Sequence, residues 1–337
     1  MNLQKRIEQH WYNKINVVLW IILLPLSGIF WLISVIRRTL YSSGISKSYR
    51  LARPVIIVGN LTVGGNGKTP VTSYIYRNLT ARGYTVGIIL RGYKAKLTDS
   101  VVVDGTHDAA DVGDEAYNYF ADGFIVAIGS DRVKTGQILL AKHPEIDYIL
   151  SDDGLQHYRL QRDYEICVVD ATRWFGNGML IPDGPLRESL SRLRTVNHIV
   201  VNSLGDRRLL SRLIQYQNKI SYSKLQLTNI YNHHTRKSRK VQEFAQDKIV
   251  LLCGIGNPER FFDFAKCLGI ISSMELAFND HHDYVASEVV YPEYQIITTS
   301  KDYVKLQKFG LNNIWVLNIE VELDNELLIN QIMALTC

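Results

Sequence analysis

Apolar runs of strand length alternate with segments of helical length through most of the first two thirds of the chain. The predicted strands are Val55–Val58, Thr85–Leu90, Ile125–Ile128, Tyr148–Leu150, Ile166–Val169 and Ile199–Val201. The predicted helices between them include Pro70–Arg82, Asp114–Ala121 and Asp131–Lys142. Strands that alternate with helices favour a largely parallel sheet covered on both faces, which is an α/β fold. In such sheets, ligands bind at the carboxyl ends of the strands.

A polar stretch at 216–240 interrupts this pattern and divides the chain. It contains no long apolar run, and only short strands are expected in it, around Leu225–Tyr231. Beyond it the pattern predicts a second, smaller α/β unit with strands at Lys248–Cys253, Tyr294–Thr298 and Ile314–Ile319. The predicted organisation is an N-terminal helix at 1–40, a larger unit at 41–220, a linker with short β-strands at 221–247 and the smaller unit at 248–337.

The N-terminus differs from the rest because residues 15–36 are almost entirely apolar. A helix of this length spans about 33 Å, which is enough to cross the hydrocarbon core of a bilayer. Aromatic residues lie near its ends and basic residues flank it on both sides, which favours a membrane helix over a helix buried in the protein core. Pro25 and Gly28 leave open whether the helix spans the bilayer or breaks into two halves within one leaflet.

Composition indicates a globular protein with a chain long enough for two cores. Of its 337 residues, 46% are hydrophobic and 21% are charged, which excludes a disordered chain. The net charge of +5 suits an anionic membrane surface, nucleic acid or a phosphorylated substrate without deciding among them. The four cysteines are widely spaced and include no C-x-x-C pair, so neither a zinc site nor a disulfide framework is expected.

A glycine-rich segment between the first predicted strand and the first predicted helix carries the strongest functional signal. Its residues are Thr62, Val63, Gly64, Gly65, Asn66, Gly67, Lys68, Thr69 and Pro70. Strand, glycine-rich loop, Lys-Thr and helix is the order of a phosphate-binding P-loop. Lys68 is expected to contact the β- and γ-phosphates, and the Thr69 hydroxyl to ligate Mg²⁺. One position departs from the P-loop pattern, because Thr62 stands where the pattern has its first glycine. The competing interpretation of the whole segment is a glycine-rich turn between strand and helix with a lysine on the surface.

A second polar cluster follows the predicted strand Tyr148–Leu150. Asp152 and Asp153 come shortly after this strand, and His157 lies just beyond them. A carboxylate at the end of a strand beside a P-loop holds Mg²⁺ directly or through water. The alternatives are an Asp-Gly turn for the acids and a structural turn for the histidine.

Three further segments carry candidate residues with weaker local signals. Asp114 and Glu115 stand at a predicted helix start, where local sequence favours Asp114 as a helix cap and a position facing the phosphates is the alternative. His281 belongs to the run 280–283, which contains two acids and two histidines. Adjacent residues seldom converge on one metal ion, so an acid–histidine pair or a polar surface loop is expected there. Arg187 follows a turn and is placed either to bind phosphate or to form a surface salt bridge.

Taken in order, these motifs resemble the tetraacyldisaccharide 4′-kinase family, the lipid A 4′-kinases of Gram-negative bacteria. The resemblance is carried by the loop 62–70, Leu90–Tyr93, Val112–Glu115, Asp152–His157, Phe175–Gly178, Gly184–Glu188, Gly254–Pro258 and Asp280–His282. It covers nearly the whole chain, including the apolar N-terminal segment. One position departs from the family pattern, because Ser300 stands where the family usually has the glutamate of a Thr-Glu-Lys-Asp motif.

The resemblance implies a P-loop NTPase-like α/β/α kinase domain, a second smaller α/β domain and an N-terminal membrane helix. It implies ATP- and Mg²⁺-dependent phosphorylation of the 4′-hydroxyl of a tetraacyldisaccharide 1-phosphate, at the cytoplasmic face of the bacterial inner membrane. Asp114 would pair with His281 as the base for the sugar hydroxyl, which replaces the helix-cap interpretation. The implied catalytic residues are Asp114, His281, Lys68 and Arg187, the implied nucleotide-binding residues are 62–70 and His157, and the implied metal-binding residues are Thr69, Glu115, Asp152 and Asp153.

Two other classes of protein compete with a lipid kinase. A membrane-peripheral switch or partitioning ATPase has a similar Gly-Gly-x-Gly-Lys-Thr loop, but its loop normally begins with a lysine where this chain has Thr62 or Val63. A nucleic-acid ATPase would suit the charge, but the chain has no aromatic-basic recognition motif and much of its excess charge flanks the apolar segment. The expected partners are therefore the acylated disaccharide 1-phosphate and the inner leaflet of the membrane, with neither nucleic acid nor an obligate protein partner.

Overall fold

The computed structural model describes residues 3–65, 67–202 and 213–336, which form one mixed sheet with helices on both faces. Its strands are β1 (Val55–Gly59), β2 (Val86–Leu90), β3 (Val101–Val102), β4 (Ile125–Ile128), β5 (Tyr148–Asp152), β6 (Tyr164–Asp170), β7 (His198–Asn202), β8 (Ile220–Asn232), β9 (Lys237–Arg239), β10 (Ile249–Cys253), β11 (Met274–Ala277), β12 (Gln295–Thr298) and β13 (Ile314–Leu323). Its α-helices are α1 (Leu3–Tyr12), α2 (Val17–Ser42), α3 (Lys68–Ala81), α4 (Ala109–Val112), α5 (Asp114–Ala121), α6 (Arg132–Lys142), α7 (Pro258–Cys267), α8 (Ala286–Val289), α9 (Ser300–Leu306) and α10 (Leu327–Met333).

Two parallel blocks of strands meet at one long antiparallel pair. The order across the described part of the sheet is β11-β10-β12-β13-β8-β7-β6-β1-β5-β2-β4-β3, with β9 paired to β8. Neighbours from β8 to β4 are parallel, as are those from β11 to β13, whereas β8 and β13 are antiparallel. The α/β class is therefore confirmed. The domain boundaries at 40, 220 and 247 stay a prediction, since a single sheet continues through both units.

The parallel strands are buried on both faces, which explains their continuous apolar runs. Because side chains alternate along a strand, β1 sends Val55 and Ile57 to one core and Ile56 and Val58 to the other. Strand β10 divides its residues in the same way between two smaller cores. Each unit is thus a sheet between two helical layers, with the carboxyl ends of its parallel strands left open for a site.

The structure differs from the pattern mainly at the linker and the sheet edges. Strand β8 has 13 residues, where only short strands are expected. Residues 224–228 in its middle alternate between exposed and partly buried and form no apolar run, so the sequence pattern does not reveal its full length. The pattern does not predict β3, β9 or β11, which have two to four residues each. Such short strands with partly exposed side chains bury little apolar surface, so they produce no recognisable hydrophobic pattern in the sequence.

Helix α2 is a continuous helix of 26 residues that runs through Pro25. The alternative of two half-helices is therefore wrong. Its apolar side chains are largely exposed, with Val18 and Ile21 at 66% and 62%, so the alternative of a core helix is wrong as well. Within the described ranges α2 is the one helix that is long and apolar enough to cross a membrane, judged by length and composition.

Candidate active site

A cleft of about 1220 Å³ lies at the carboxyl ends of the central strands, between the two units. One side is formed by the loop between β1 and α3, which we name the phosphate loop, together with the residues at the end of β5; residues 63–65 and 67 of the loop line the cleft. Segments of the second unit form the opposite side, at 255–261, 280–281 and 299–301. Side chains of α2 complete it, including Phe30, Ile33 and Arg37. This is the place where an open α/β sheet binds its ligand.

The phosphate loop ends in a backbone geometry that glycine provides. Gly67 is the N-cap of α3 with φ 75°, and a Cβ there would come within 2.5 Å of the Asn202 amide nitrogen. Because glycine brings no capping side chain, the first N–H groups of α3 remain for an anionic ligand. Asn66, predicted to bind nucleotide, lies outside the described residues. Thr62 is buried, and its backbone forms an antiparallel bridge to Leu186.

Lys68 and Arg187 both contact the carboxylate of Asp153. The Lys68 Nζ atom lies 3.5 Å from Asp153 Oδ1 and 3.4 Å from the Asn60 side-chain oxygen. The Arg187 Nη1 atom donates to both oxygens of Asp153 at 3.0 Å. Burial alone would raise the pKa of Asp153, but the two cations outweigh it and lower the pKa to about 2. The ionised carboxylate of Asp153 thus holds the side chains of Lys68 and Arg187 beside the phosphate loop.

Asp152 has the opposite electrostatic environment although it is the next residue in the chain. Its side chain is buried and accepts a hydrogen bond from Tyr119 at 2.8 Å. Burial and then the charge of Glu115 raise the pKa of Asp152 to about 6. Arg132 is also buried, but it donates to the backbone oxygen of Asp152 instead of its carboxylate. The charge of Lys68 and the hydrogen bond from Tyr119 lower the pKa of Asp152, but they do not outweigh burial and Glu115.

Asp114 and His281 meet across the cleft. The His281 Nδ1 atom lies 3.1 Å from Asp114 Oδ2, and Lys305 Nζ lies 2.9 Å from the same oxygen. Burial would raise the pKa of Asp114, but the hydrogen bonds from His281 and Lys305 outweigh it and lower the pKa. The other ring nitrogen of His281 lies 3.2 Å from Lys301 Nζ. The result is an acid–histidine pair held between two lysines.

The remaining predicted site residues also lie at the cleft. Val63, Gly64, Gly65, Thr69, Pro70, Glu115 and His157 line it. Burial and then the charge of Arg132 lower the pKa of His157 to about 4, so this imidazole is neutral at pH 7. Val63 donates its backbone N–H to Pro185 at 2.8 Å, which ties the phosphate loop to the segment that carries Arg187.

Sequence reasoning missed several residues that shape the site. Tyr119 and Arg132 contact Asp152, and Lys305 contacts Asp114. The ring of Tyr93 lies 4.9 Å from that of His281. Each acts on a partner far away in the chain, so no local spacing marks it. Tyr93 belongs to a motif that carries the family resemblance, which was the one available signal.

A strand that leads through a glycine-rich loop into a helix N-terminus, with carboxylates at the end of the adjacent strand, defines a P-loop nucleotide-binding enzyme that transfers phosphoryl groups. Comparison with known proteins gives the family. Residues 19–336 match the family described as tetraacyldisaccharide-1-P 4′-kinase, and the chain belongs to that family. The protein is therefore a kinase, which confirms the prediction over the switch or partitioning ATPase.

Individual relatives agree over nearly the whole chain. A tetraacyldisaccharide 4′-kinase of Chromobacterium violaceum is 41% identical over 329 residues, which cover 95% of each chain. The protein of the same name from Pasteurella multocida is 39% identical over 326 residues, 94% of this chain and 95% of the relative. A crystal structure of the "apo" form of LpxK from Aquifex aeolicus in complex with ATP has a TM-score of 0.76 at 28% identity, covering 92% of this chain and 97% of that one.

Proposed function

We propose that this protein transfers the γ-phosphoryl group of ATP to the 4′-hydroxyl of a tetraacyldisaccharide 1-phosphate at the cytoplasmic face of the inner membrane. The observation that carries the proposal is the set of residues that line the cleft. The same cavity is lined by the phosphate loop, by the Asp114–His281 pair and by apolar residues of the membrane helix α2. A water-soluble sugar needs no such helix beside the site, whereas a glycolipid held in a bilayer does.

The phosphate loop and its two cations form the nucleotide side of the site. The uncapped N-terminus of α3 and residues 62–70 would hold the triphosphate. Lys68 and Arg187, now paired with Asp153, would turn to the phosphate oxygens and stabilise the charge that develops during transfer. His157, neutral at pH 7, would donate a hydrogen bond to the nucleotide.

The residues around Asp152 fit a magnesium ion. Thr69, Glu115, Asp152 and Asp153 all line the cleft. Burial and then the charge of Glu115 raise the pKa of Asp152, and a bound cation would offset both effects. In the part of the chain that the structure describes, no three or more His, Cys, Asp or Glu side chains form a metal cluster by themselves. Mg²⁺ commonly takes phosphate and water oxygens as its other ligands. When bound, it supplies positive charge to the β- and γ-phosphate oxygens.

The Asp114–His281 pair would accept the proton of the sugar hydroxyl. A hydroxyl needs a base within hydrogen-bond reach in the transition state, because its own pKa lies far above neutrality. Lys305 and His281 keep Asp114 ionised at neutral pH. An acid and a histidine in direct contact titrate together, so we assign the proton to the pair as a unit.

A lipid kinase assay tests this function. Purified full-length protein in detergent is mixed with ATP, Mg²⁺ and tetraacyldisaccharide 1-phosphate. We expect one phosphoryl group to be added to the lipid at the 4′-hydroxyl, with one ADP per product, as measured by mass spectrometry and phosphorus NMR. An acceptor that lacks the 4′-hydroxyl is the control and should give no product. Slow ATP hydrolysis without lipid product, stimulated instead by a protein, would favour the switch ATPase.

Vesicle flotation tests the membrane assignment. Val18, Ile22 and Ile29 of α2 are exposed, and their joint replacement by asparagine removes apolar surface without touching the cleft. We expect the wild type to float with vesicles of inner-membrane composition and the triple variant to stay at the bottom of the gradient. Flotation of both proteins alike would show that another surface binds lipid.

A further inference from the structure

The N-terminal helices are fixed to the rest of the protein by a buried histidine. The Nε2 atom of His10 lies 2.9 Å from Asp183 Oδ1, and neither side chain is exposed. The other ring nitrogen, Nδ1, accepts the backbone N–H of Asn16 at 2.9 Å. An imidazole whose Nδ1 is an acceptor carries its proton on Nε2, so His10 donates to the Asp183 carboxylate. Both ring nitrogens of His10 therefore form hydrogen bonds, with Nδ1 as acceptor and Nε2 as donor.

Further hydrogen bonds join both N-terminal helices to the same segment, which we name the docking loop, residues 177–187. The Trp11 indole N–H donates to the Pro182 oxygen at 3.0 Å. The hydroxyl of Ser27, which is buried on α2, donates to the Leu180 oxygen at 2.8 Å and accepts the Asp183 N–H at 3.0 Å. Asp183 is thus held by α1 through its side chain and by α2 through its backbone.

The other end of the docking loop is part of the nucleotide site. Pro185 accepts the N–H of Val63 at 2.8 Å, and Arg187 donates its own N–H to the Leu61 oxygen at 2.6 Å. The Arg187 side chain then contacts Asp153. Only three residues separate Asp183 from Arg187, so a displacement of Asp183 must move the segment that pairs with the phosphate loop.

We infer that His10, Ser27 and Asp183 are positioning residues for phosphoryl transfer. They hold the docking loop against the two N-terminal helices, and the docking loop holds Arg187 and the first half of the phosphate loop. Loss of one partner leaves a buried polar group unpaired, which the chain relieves by moving the docking loop. The N-terminal helices therefore form part of the nucleotide site as well as a membrane anchor. The inference rests on the role proposed above for Arg187.

The test uses the full-length protein in lipid nanodiscs with two substitutions at position 10. His10→Ala removes the bond to Asp183, whereas the side chain of His10→Gln can still donate to it. Gln9→Ala and Leu26→Ala are matched controls, since these neighbouring side chains are exposed. We expect His10→Ala to raise the KM for ATP about tenfold, with the KM for lipid and vesicle flotation unchanged. His10→Gln should recover most of this loss, and both controls should match the wild type.

A double-mutant cycle separates positioning from general loss of stability. If His10 acts through Arg187, then His10→Ala should change the KM for ATP less than twofold in an Arg187→Ala background. Additive effects of the two substitutions, or a wild-type KM for ATP in His10→Ala, would overturn the inference. If His10→Ala does not fold, Ser27→Ala, which removes the hydrogen bonds to Leu180 and Asp183, replaces it in the cycle.

Equilibrium binding of ATP to these variants is measured without the lipid substrate. This measurement distinguishes a failure of this inference from a failure of the proposed function. Weakened ATP binding by His10→Ala supports the inference even if the wild type phosphorylates no lipid. Unchanged ATP binding in an active lipid kinase would leave the proposed function intact and overturn the positioning role alone.

Discussion

The two walls of the cleft are built from the chain in different ways. The phosphate wall consists of the phosphate loop, Lys68, Asp152 and Asp153, which lie at or just beyond the ends of two adjacent parallel strands, β1 and β5. The base wall pairs Asp114 with His281, 167 positions later in the chain, and adds Lys301 and Lys305 from α9. One wall is therefore a local motif, whereas the other exists only after the two units have come together.

The walls also differ in charge balance. On the base wall, Lys305 contacts Asp114 and lowers its pKa together with His281. On the phosphate wall, the buried Asp152 has a pKa of about 6 because burial and Glu115 oppose its ionisation. On the base wall, contacts within the protein therefore stabilise the negative charge of Asp114. On the phosphate wall, burial and Glu115 disfavour the ionised form of Asp152, so substitutions on the two walls should affect stability in opposite directions.

The largest expected effect lies on the phosphate wall. Lys68→Ala removes the cation beside Asp153 and, under the proposed mechanism, the contact to the transferring phosphoryl group. We expect kcat/KM for lipid phosphorylation to fall about 10³-fold or more. The exposed Lys134 on α6 provides the control variant Lys134→Ala, which should keep full activity. A loss below tenfold in Lys68→Ala would mean that this loop does not hold the reacting phosphates.

The base wall should show smaller losses that do not add. Asp114→Asn and His281→Ala are each expected to lower kcat by about 10² to 10³, since each would disable the proposed general base. If the two side chains act as one unit, as proposed, the double variant should be no slower than the slower single variant. Single-turnover rates measure this directly. A double variant whose loss equals the product of the two single losses would show that Asp114 and His281 act independently.

This contrast also explains how far the sequence could predict the site. The phosphate loop and Asp152–Asp153 follow apolar strands directly, so hydrophobic pattern and residue type suffice to find them. Asp114 at the start of α5 has the local appearance of a helix cap, and only the family resemblance pairs it with His281. Neither the local sequence pattern nor the family resemblance points to His10, whose partner Asp183 lies 173 positions away. Pairings between distant segments depend on topology, which local spacing does not encode.

A third prediction uses stability to compare the walls. The pKa of Asp152 in the folded protein is about 6, above its unfolded value, so between about pH 4 and 6 the native state keeps a proton that the unfolded chain releases. Ionised Asp152 therefore costs stability above pH 6. We expect Asp152→Asn to stabilise the magnesium-free protein at pH 7.5 by on the order of 1–3 kcal/mol, while its kinase activity falls.

Asp114→Asn is the matched variant on the base wall and should do the reverse. Its carboxylate has a lowered pKa in the fold, so the charge contributes stability at pH 7.5 that asparagine removes. Thermal unfolding of both variants, with and without Mg²⁺, measures the difference. The same sign of change in Tm for both substitutions would contradict the contrast in charge balance.

The smallest expected effect concerns the hydroxyl of Tyr119. Burial and then the charge of Asp152 raise the pKa of Tyr119 well above its usual range, so the hydroxyl stays protonated and donates to Asp152. That hydrogen bond lowers the pKa of Asp152. Tyr119→Phe removes it and should raise the pKa of Asp152 further above 6.

The acid limb of kcat/KM should then move to higher pH, because the protonated carboxyl cannot serve a metal ion. We expect a two- to fivefold loss of activity near pH 6.5 that shrinks toward pH 8.5. Raising the Mg²⁺ concentration should recover part of the loss, because the ion competes with the proton for Asp152. Tyr117→Phe on the same helix is the control and should leave the profile unchanged. An equal loss at every pH would assign Tyr119 to packing alone and separate it from the charge balance of the phosphate wall.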